Sequence, residues 1–222
     1  MNEPATVHPI ESPPDPEYPQ PQIERATLRA MLEGVIITAS KDATRPHLAV
    51  VLFRFKRESL TLVTTDGHRL TRSIAPWDLE APGPDDSADL LIPIERARVL
   101  LAAIKKPSIS SSIREPVALK FTEENAGFTA ELVNGDETKC RSVDVNFPTF
   151  EKVIPKERSA DGEGCAVFGV NAKYLGDVAK AARHLAGAEG VRFTVGGAKD
   201  PIRIDLTNAN IESVIVIMPM RV

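Results

Sequence analysis

Cysteine is scarce in this chain: Cys140 and Cys165 are the only two in 222 residues. So few thiols fit a reducing compartment, and their spacing matches no metal site, so both read as packed side chains. No apolar run reaches the roughly 18 residues that a membrane-spanning helix needs. The opening Met1-Asn2-Glu3-Pro4-Ala5 lacks the basic and then apolar pattern of a leader, which points to the cytoplasm and away from membranes. Histidine is sparse and scattered (His8, His47, His68, His184), with no Cys/His pairing that suggests zinc. There is no G-x-x-x-x-G-K-[ST] phosphate loop and no G-x-S-x-G elbow, and Gly196-Gly197 reads as a turn between strands. A protein with no metal, no cofactor and no catalytic constellation is expected. Cations are not in surplus either. The net charge of −4 argues against a protein coated in basic surface, yet allows a basic lining within an acidic exterior.

What is present is enough apolar material for one or two cores, since 42% of the residues are hydrophobic. Residues 1–16 stand apart. Pro4, Pro9, Pro13, Pro14 and Pro16, mixed with acidic residues, cannot bury a core, so this segment reads as a disordered tail. Glu17 to Ile23 fits an edge strand, weakened by Pro19 and Pro21, which lack a backbone donor.

Beyond the tail one pattern occurs three times: a helix with a single apolar stripe, then three short strands separated by turns. The first helix is expected from Ala26 to Ser40, with Leu28, Met31, Leu32, Val35, Ile36 and Ala39 on one face, and strands at Leu48 to Phe55, Leu60 to Thr65 and Leu70 to Ala75. The second unit opens with a strand at Ala88 to Ile92. Pro93 starts its helix, Ala97, Leu100, Leu101 and Ile104 form the stripe, and Pro107 stops it after Lys106. Strands are expected at Val117 to Phe121, Phe128 to Val133 and Thr138 to Val143. The third unit has a strand at Ala166 to Val170 and a helix from Ala172 to Leu185, striped by Tyr174, Leu175, Val178, Ala182 and Leu185. Its strands are Val191 to Val195, Ile202 to Thr207 and Val214 to Met218. Helices interleaved with strand triplets predict an α+β fold of repeated βαβββ units.

Each helix also carries a polar stripe. Arg98 and Lys105 lie seven apart on the second helix, with Arg96 and Lys106 nearby; Lys173, Lys180 and His184 line up on the third, joined by Arg183 and interrupted by Asp177. Arg25 and Arg29 belong to the first, offset by Glu33. For one helix such a stripe is an ordinary solvated face; on all three it also fits a surface that touches phosphates without reading sequence.

Thr64-Thr65-Asp66-Gly67-His68-Arg69-Leu70 lies between two strand-like runs, so Asp66-Gly67 reads as a hairpin turn. Two further strings accompany it, Phe147-Pro148-Thr149-Phe150-Glu151-Lys152-Val153-Ile154-Pro155 and Val216-Ile217-Met218-Pro219-Met220-Arg221-Val222. In this order they resemble the bacterial sliding clamp family, the beta subunit of DNA polymerase III. The resemblance implies the DNA-clamp fold and a non-catalytic processivity factor that receives short peptides of polymerases and repair proteins. On this likeness the peptide pocket takes Leu48, Thr65, Gly67, His68, Arg69 and Leu70 from the first unit, and Pro148 and Val153 from the middle string. Asn171 and Tyr174 come from the third helix, and Val216, Met218, Pro219, Met220 and Arg221 from the end of the chain. Methionines at 218 and 220 suit varied apolar ligands. Candidate DNA contacts are Arg25, Arg29, Arg98, Lys105, Lys173, Lys180 and Arg183, with Lys41, Arg45 and His47 in the loop after the first helix. The family's usual bulkier residues in that loop are replaced here by Pro46 and His47.

A clamp chain of this family has three domains and six units, whereas this chain has three units. Residues 17–155 resemble the middle domain, complete, and 156–222 the second half of the last domain. The third unit, alone, leaves a sheet edge and one side of its helix uncovered and is expected to need a partner. A homo-oligomer follows, with a four-chain ring the most economical closed form and a dimeric arc second. Duplex DNA, clamp-binding peptides and a clamp-loading ATPase are the implied partners. A peptide-binding remnant or decoy that forms no ring is the other reading.

Overall fold

The computed structural model describes residues 20–42, 44–77, 87–106, 115–122, 126–155, 168–185, 191–197, 199–208 and 210–220. The expected tail, Cys165, Pro107, Arg221 and the segment joining the second and third units lie outside these residues.

The first unit begins with β1 (Gln22–Glu24) and α1 (Arg25–Ile36) and continues through β2 (Val50–Phe55), β3 (Ser59–Thr65) and β4 (Arg69–Pro76). Helix α1 buries Leu28, Met31, Leu32 and Val35, the i, i+3, i+4, i+7 stripe read from the sequence. It stops short of Ser40 for a reason the stripe does not show. The Val35 carbonyl, orphaned at the helix end, accepts the hydroxyls of Thr64 (2.5 Å) and Thr38 (3.1 Å), and Thr38 bonds Thr71 (2.9 Å). These buried hydroxyls tie the end of α1 to β3 and β4.

The second unit comprises β5 (Ala88–Pro93), α2 (Ile94–Lys105), β6 (Pro116–Phe121), β7 (Gly127–Leu132) and β8 (Glu137–Arg141). The two units exchange their first strands. β5 pairs with β2 of unit one, with Ile92 opposite Val51, while β1 pairs with β6 of unit two, with Ile23 opposite Val117. Each sheet edge is thereby closed by the sibling unit, and Phe53, Phe55, Phe121 and Phe128 stack edge to face or tilted inside the shared core.

The third unit contains α3 (Ala172–Leu185), β9 (Arg192–Thr194), β10 (Ile202–Thr207) and β11 (Glu212–Ile217). It does not stand alone. β11 pairs antiparallel with β4, Val216 opposite Leu70, which gives a seven-stranded sheet in the order β5-β2-β3-β4-β11-β10-β9 beside the four-stranded β1-β6-β7-β8. Helix α3 packs on α1 so closely that Leu185 occupies the space a side chain at Gly34 would need. One edge and one helix flank of the third unit are covered within the chain, because apolar Val214 and Val216 continue the sheet of unit one; β9 remains the outermost strand. Of the expected strand at 166–170, the described Phe168–Val170 form a single bridge, Gly169 to Met220.

Candidate functional site

The turn at Asp66-Gly67 is built by its own polar atoms. Asp66 Oδ1 accepts the N–H groups of His68 and Arg69, each at 3.0 Å, and Thr65 Oγ1 accepts the Gly67 N–H at 3.1 Å. Gly67 has φ +89°, in the left-handed region that favours glycine. A Cβ there would lie in ordinary contact with Arg45 Nη1 at 3.6 Å and Leu48 Cδ1 at 3.9 Å, so Arg45 and Leu48 adjoin the turn. His68 is left exposed at the tip.

The end of the chain runs beside this turn. Continuing the β4–β11 ladder, the Met218 N–H donates to the His68 carbonyl at 2.9 Å, and the Met220 N–H donates to the Gly169 carbonyl at 2.8 Å, just ahead of Asn171 and α3. Asn171 caps α3, its Oδ1 accepting the Lys173 N–H at 2.9 Å and its carbonyl the Tyr174 N–H at 2.8 Å. The third string is pinned to the outer face of the same sheet. Phe147 and Phe150 are buried there with Val50, Leu52, Leu70 and Val216. Arg54 holds Glu151 at 2.5 Å while its fork grips Asp89 with two 2.8 Å bonds, and its guanidinium lies 5.1 Å from the Phe150 ring centre. Buried Leu70 and Val216 thus form a floor. Val153, Met218 and Met220 stand out from it, 40%, 40% and 51% exposed, with Pro148 exposed in the same pinned segment and Pro219 half-buried.

Arg69 carries the electrostatics. Its guanidinium is nearly buried and bonds Asp66 at 2.9 Å, Asp177 of α3, and the Ile37 carbonyl at 3.2 Å, with its charge 4.6 Å from the Tyr174 ring centre. Burial alone pushes the Asp177 carboxyl up, but Arg69 and Lys180 outweigh it and hold it below the ordinary carboxylate range. Arg69 and Tyr174 are thus locked across the junction of units one and three. Asp177, which the sequence shows as a break in a cationic row, is the residue that locks them. The acidic residue one turn past Tyr174 was the available signal.

The proposed phosphate contacts fall into two groups. Arg25 is spent inside the fold, on Glu115 at 2.5 Å and on the carbonyls of Ile104 (2.9 Å) and Lys106. Lys105 at 2.7 Å, His184 at 3.0 Å and Arg29 at 3.4 Å converge on one carboxylate, Glu33, so that α1, α2 and α3 share it. Arg45 pairs with Asp42 at 2.9 Å, Arg98 with Glu95 at 2.8 Å and Lys180 with Asp177 at 3.6 Å. Lys41, Lys173 and Arg183 are exposed, and His47 is half-buried beside Leu48 in a short helical turn. No group of three or more His, Cys, Asp or Glu is placed to hold a metal ion among the described residues, and no described helix is long and apolar enough to cross a membrane.

Three comparisons bear on this arrangement. A curated beta sliding clamp from Micrococcus luteus is 30% identical over 143 residues, covering 64% of this chain and 43% of its own length. One from Pseudomonas putida is 26% identical over 136 residues, covering 60% and 33%. The match thus spans less than half the length of these curated relatives. The solved DNA polymerase sliding clamp of Pseudomonas aeruginosa superposes with a TM-score of 0.73 at 20% identity, over 94% of this chain and 68% of that one. The DNA polymerase III beta subunit of Thermotoga maritima gives 0.72 at 19%, over 99% and 70%. Likenesses at this identity establish the α+β clamp fold. The model of the DNA polymerase III beta subunit central domain matches residues 22–149, more than half of the sequence, and the chain therefore belongs to the beta sliding clamp family.

Proposed function

We propose that this protein is a non-catalytic, sliding-clamp-like processivity factor. As a homo-oligomer it encircles or cradles duplex DNA and holds short peptides of polymerases and repair proteins. A clamp-loading ATPase belongs to the same reading, as does a cytoplasmic location. What supports it is that three separated strings meet on one sheet face, where Leu70 and Val216 are buried with Phe147 and Phe150 while Val153, Met218 and Met220 are exposed, an arrangement we read as an apolar cleft. Such a cleft offers floor to aliphatic or aromatic side chains, while His68 and Asn171 at its rim offer polar partners to the peptide backbone. Among the candidate phosphate contacts, exposed Lys41, Lys173 and Arg183 support the reading most, since Arg25 is committed to internal bonds and Glu33, Glu95 and Asp177 offset Lys105, Arg29, Arg98 and Lys180.

Fluorescence anisotropy with labelled apolar peptides from replicative polymerases tests the pocket. Saturable binding that Met218→Asp abolishes, with circular dichroism unchanged, is expected. Equal binding by wild type and variant would refute the site. The pairing of Arg25, Lys105 and Arg29 with carboxylates of the same chain favours a second reading, a peptide-binding remnant or decoy that forms no ring. Salt-resistant retention on circular but not linear DNA supports the ring, and salt-sensitive binding or none supports the remnant.

A further inference from the structure

We propose that a second copy of this chain completes unit three by strand exchange, so that two third units close into one clamp-type domain. The inference deepens the homo-oligomer reading above and rests on it only for the ring; its own ground is the repeat within this chain. In units one and two the strand leading into each helix leaves its own unit and closes the sibling's sheet. Ile92 pairs with Val51 and Leu90 with Phe53; Ile23 pairs with Val117. Counting back from each helix start, Val170 and Phe168 of unit three occupy the places of Ile92 and Leu90. Phe193 lies opposite Ile204 as Phe53 lies opposite Leu62, and Leu62 and Ile204 each stand three residues before the end of their strands, so Phe193 takes the place of Phe53 and Val191, just ahead of β9, that of Val51. Among the described residues no sibling receives or supplies this exchange.

The exposure pattern fits that vacancy. Val51, Phe53, Val117 and Leu119 are all 0% exposed, whereas Phe193 on the outermost strand of the sheet is 47% exposed and Val191, just ahead of that strand, 37%. The fourth helical position shows the same contrast: Leu28 and Ala97 are buried at 0%, and Leu175 is 42% exposed. This edge is short and carries one exposed cation, Arg192, where β8, the edge of the four-stranded sheet, carries three exposed charges, Glu137, Lys139 and Arg141. The occupant that fits is the same surface of another copy about a twofold axis, because its own Phe168–Val170 is the strand that edge lacks. Transferring the in-chain register places Val170 opposite Val191 of the partner subunit, and Phe168 opposite Phe193 of the partner subunit.

Light scattering on the full chain should give at least twice 24.1 kDa. Phe193→Asp should halve the mass with the circular dichroism spectrum kept. A wild-type tetramer that the variant splits into dimers supports the proposal equally. A Cys165→Ser chain carrying Val170→Cys and Val191→Cys should oxidise to a covalent dimer. Val170→Cys with Phe193→Cys, two residues out of register, should not. The cross-link keeps the test sound should Phe193→Asp fail to fold. A wild-type monomer overturns the proposal. An oligomer that neither loses mass in Phe193→Asp nor cross-links at 170 and 191 overturns it too, while leaving self-association through another surface intact.

Discussion

Replacing Gly34 with alanine probes the contact that joins unit three to unit one. A Cβ at this position would fall 2.5 Å from Cδ1 and 2.6 Å from Cδ2 of Leu185, and closer still to Cγ. Leu185 is 0% exposed, so it has no solvent to swing into. Overpacking a closed core costs about 1–3 kcal/mol. At an unencumbered helix site the same change gains about 1 kcal/mol of helix propensity. The expected balance is a net loss of up to about 2 kcal/mol. Leu185→Ala opens a cavity at the same place and costs about 2–5 kcal/mol. In the double variant the added methyl refills part of that cavity, so the two costs should fall short of additive by about 1 kcal/mol. Urea unfolding followed by circular dichroism reads all three. A higher midpoint for Gly34→Ala, or strict additivity in the double variant, would refute the view that Gly34 exists to admit Leu185.

Glu33 has its carboxyl pushed up by burial and pulled further down by the Lys105 hydrogen bond and the charges of His184, Lys105 and Arg29, ending below its ordinary value of 4.5. A depressed carboxylate contributes stability above its unfolded pKa and loses it as the pH falls through the folded one. Wild type should therefore exceed Glu33→Gln in stability at neutral pH, with the gap closing below about pH 4.5; a gap that widens in acid would contradict this. Burial pushes the Cys140 thiol up to about 12, against a small opposing pull from Arg96. In a Cys165→Ser background iodoacetamide should accordingly label Cys140 only as fast as the protein opens, and labelling faster than urea-detected opening would disprove its burial. Arg69→Ala strands Asp66 and Asp177 in a nearly buried junction and should cost about 3 kcal/mol. An unchanged melting temperature would show the junction is held by packing alone.

Local pattern carried much of the fold. Helix α3 runs over Ala172–Leu185 as its stripe demands, and the turn at Asp66-Gly67 forms through the side-chain bonds that its residue types favour. Tertiary partners were the part local pattern could not carry. The end of α1 depends on Thr64 and Thr71, more than twenty residues away in sequence from Val35, so periodicity carries the helix too far. Arg25 and Lys105 read as free cations because their acceptors, Glu115 and Glu33, belong to other elements. Val216 opposite Leu70 is a pairing between two apolar strands, and neither strand carries a mark of its mate. The strings of the cleft could be named individually; their meeting depends on that one ladder.

That ladder has a mechanical consequence. Leu70 and Val216 sit on paired strands, and the ladder runs unbroken from Glu212 opposite Ile74 to Ile217 opposite Arg69, then on to the Met218–His68 bond. The two strands that carry this floor are therefore parts of one elastic body and have no hinge between them. On the proposed function, a peptide docking there would find the floor already ordered and forfeit little entropy in ordering it. By the same token Leu70 and Val216 cannot be parted without shearing the sheet. Amide exchange along β4 and β11 should rise and fall together, as one cooperative opening.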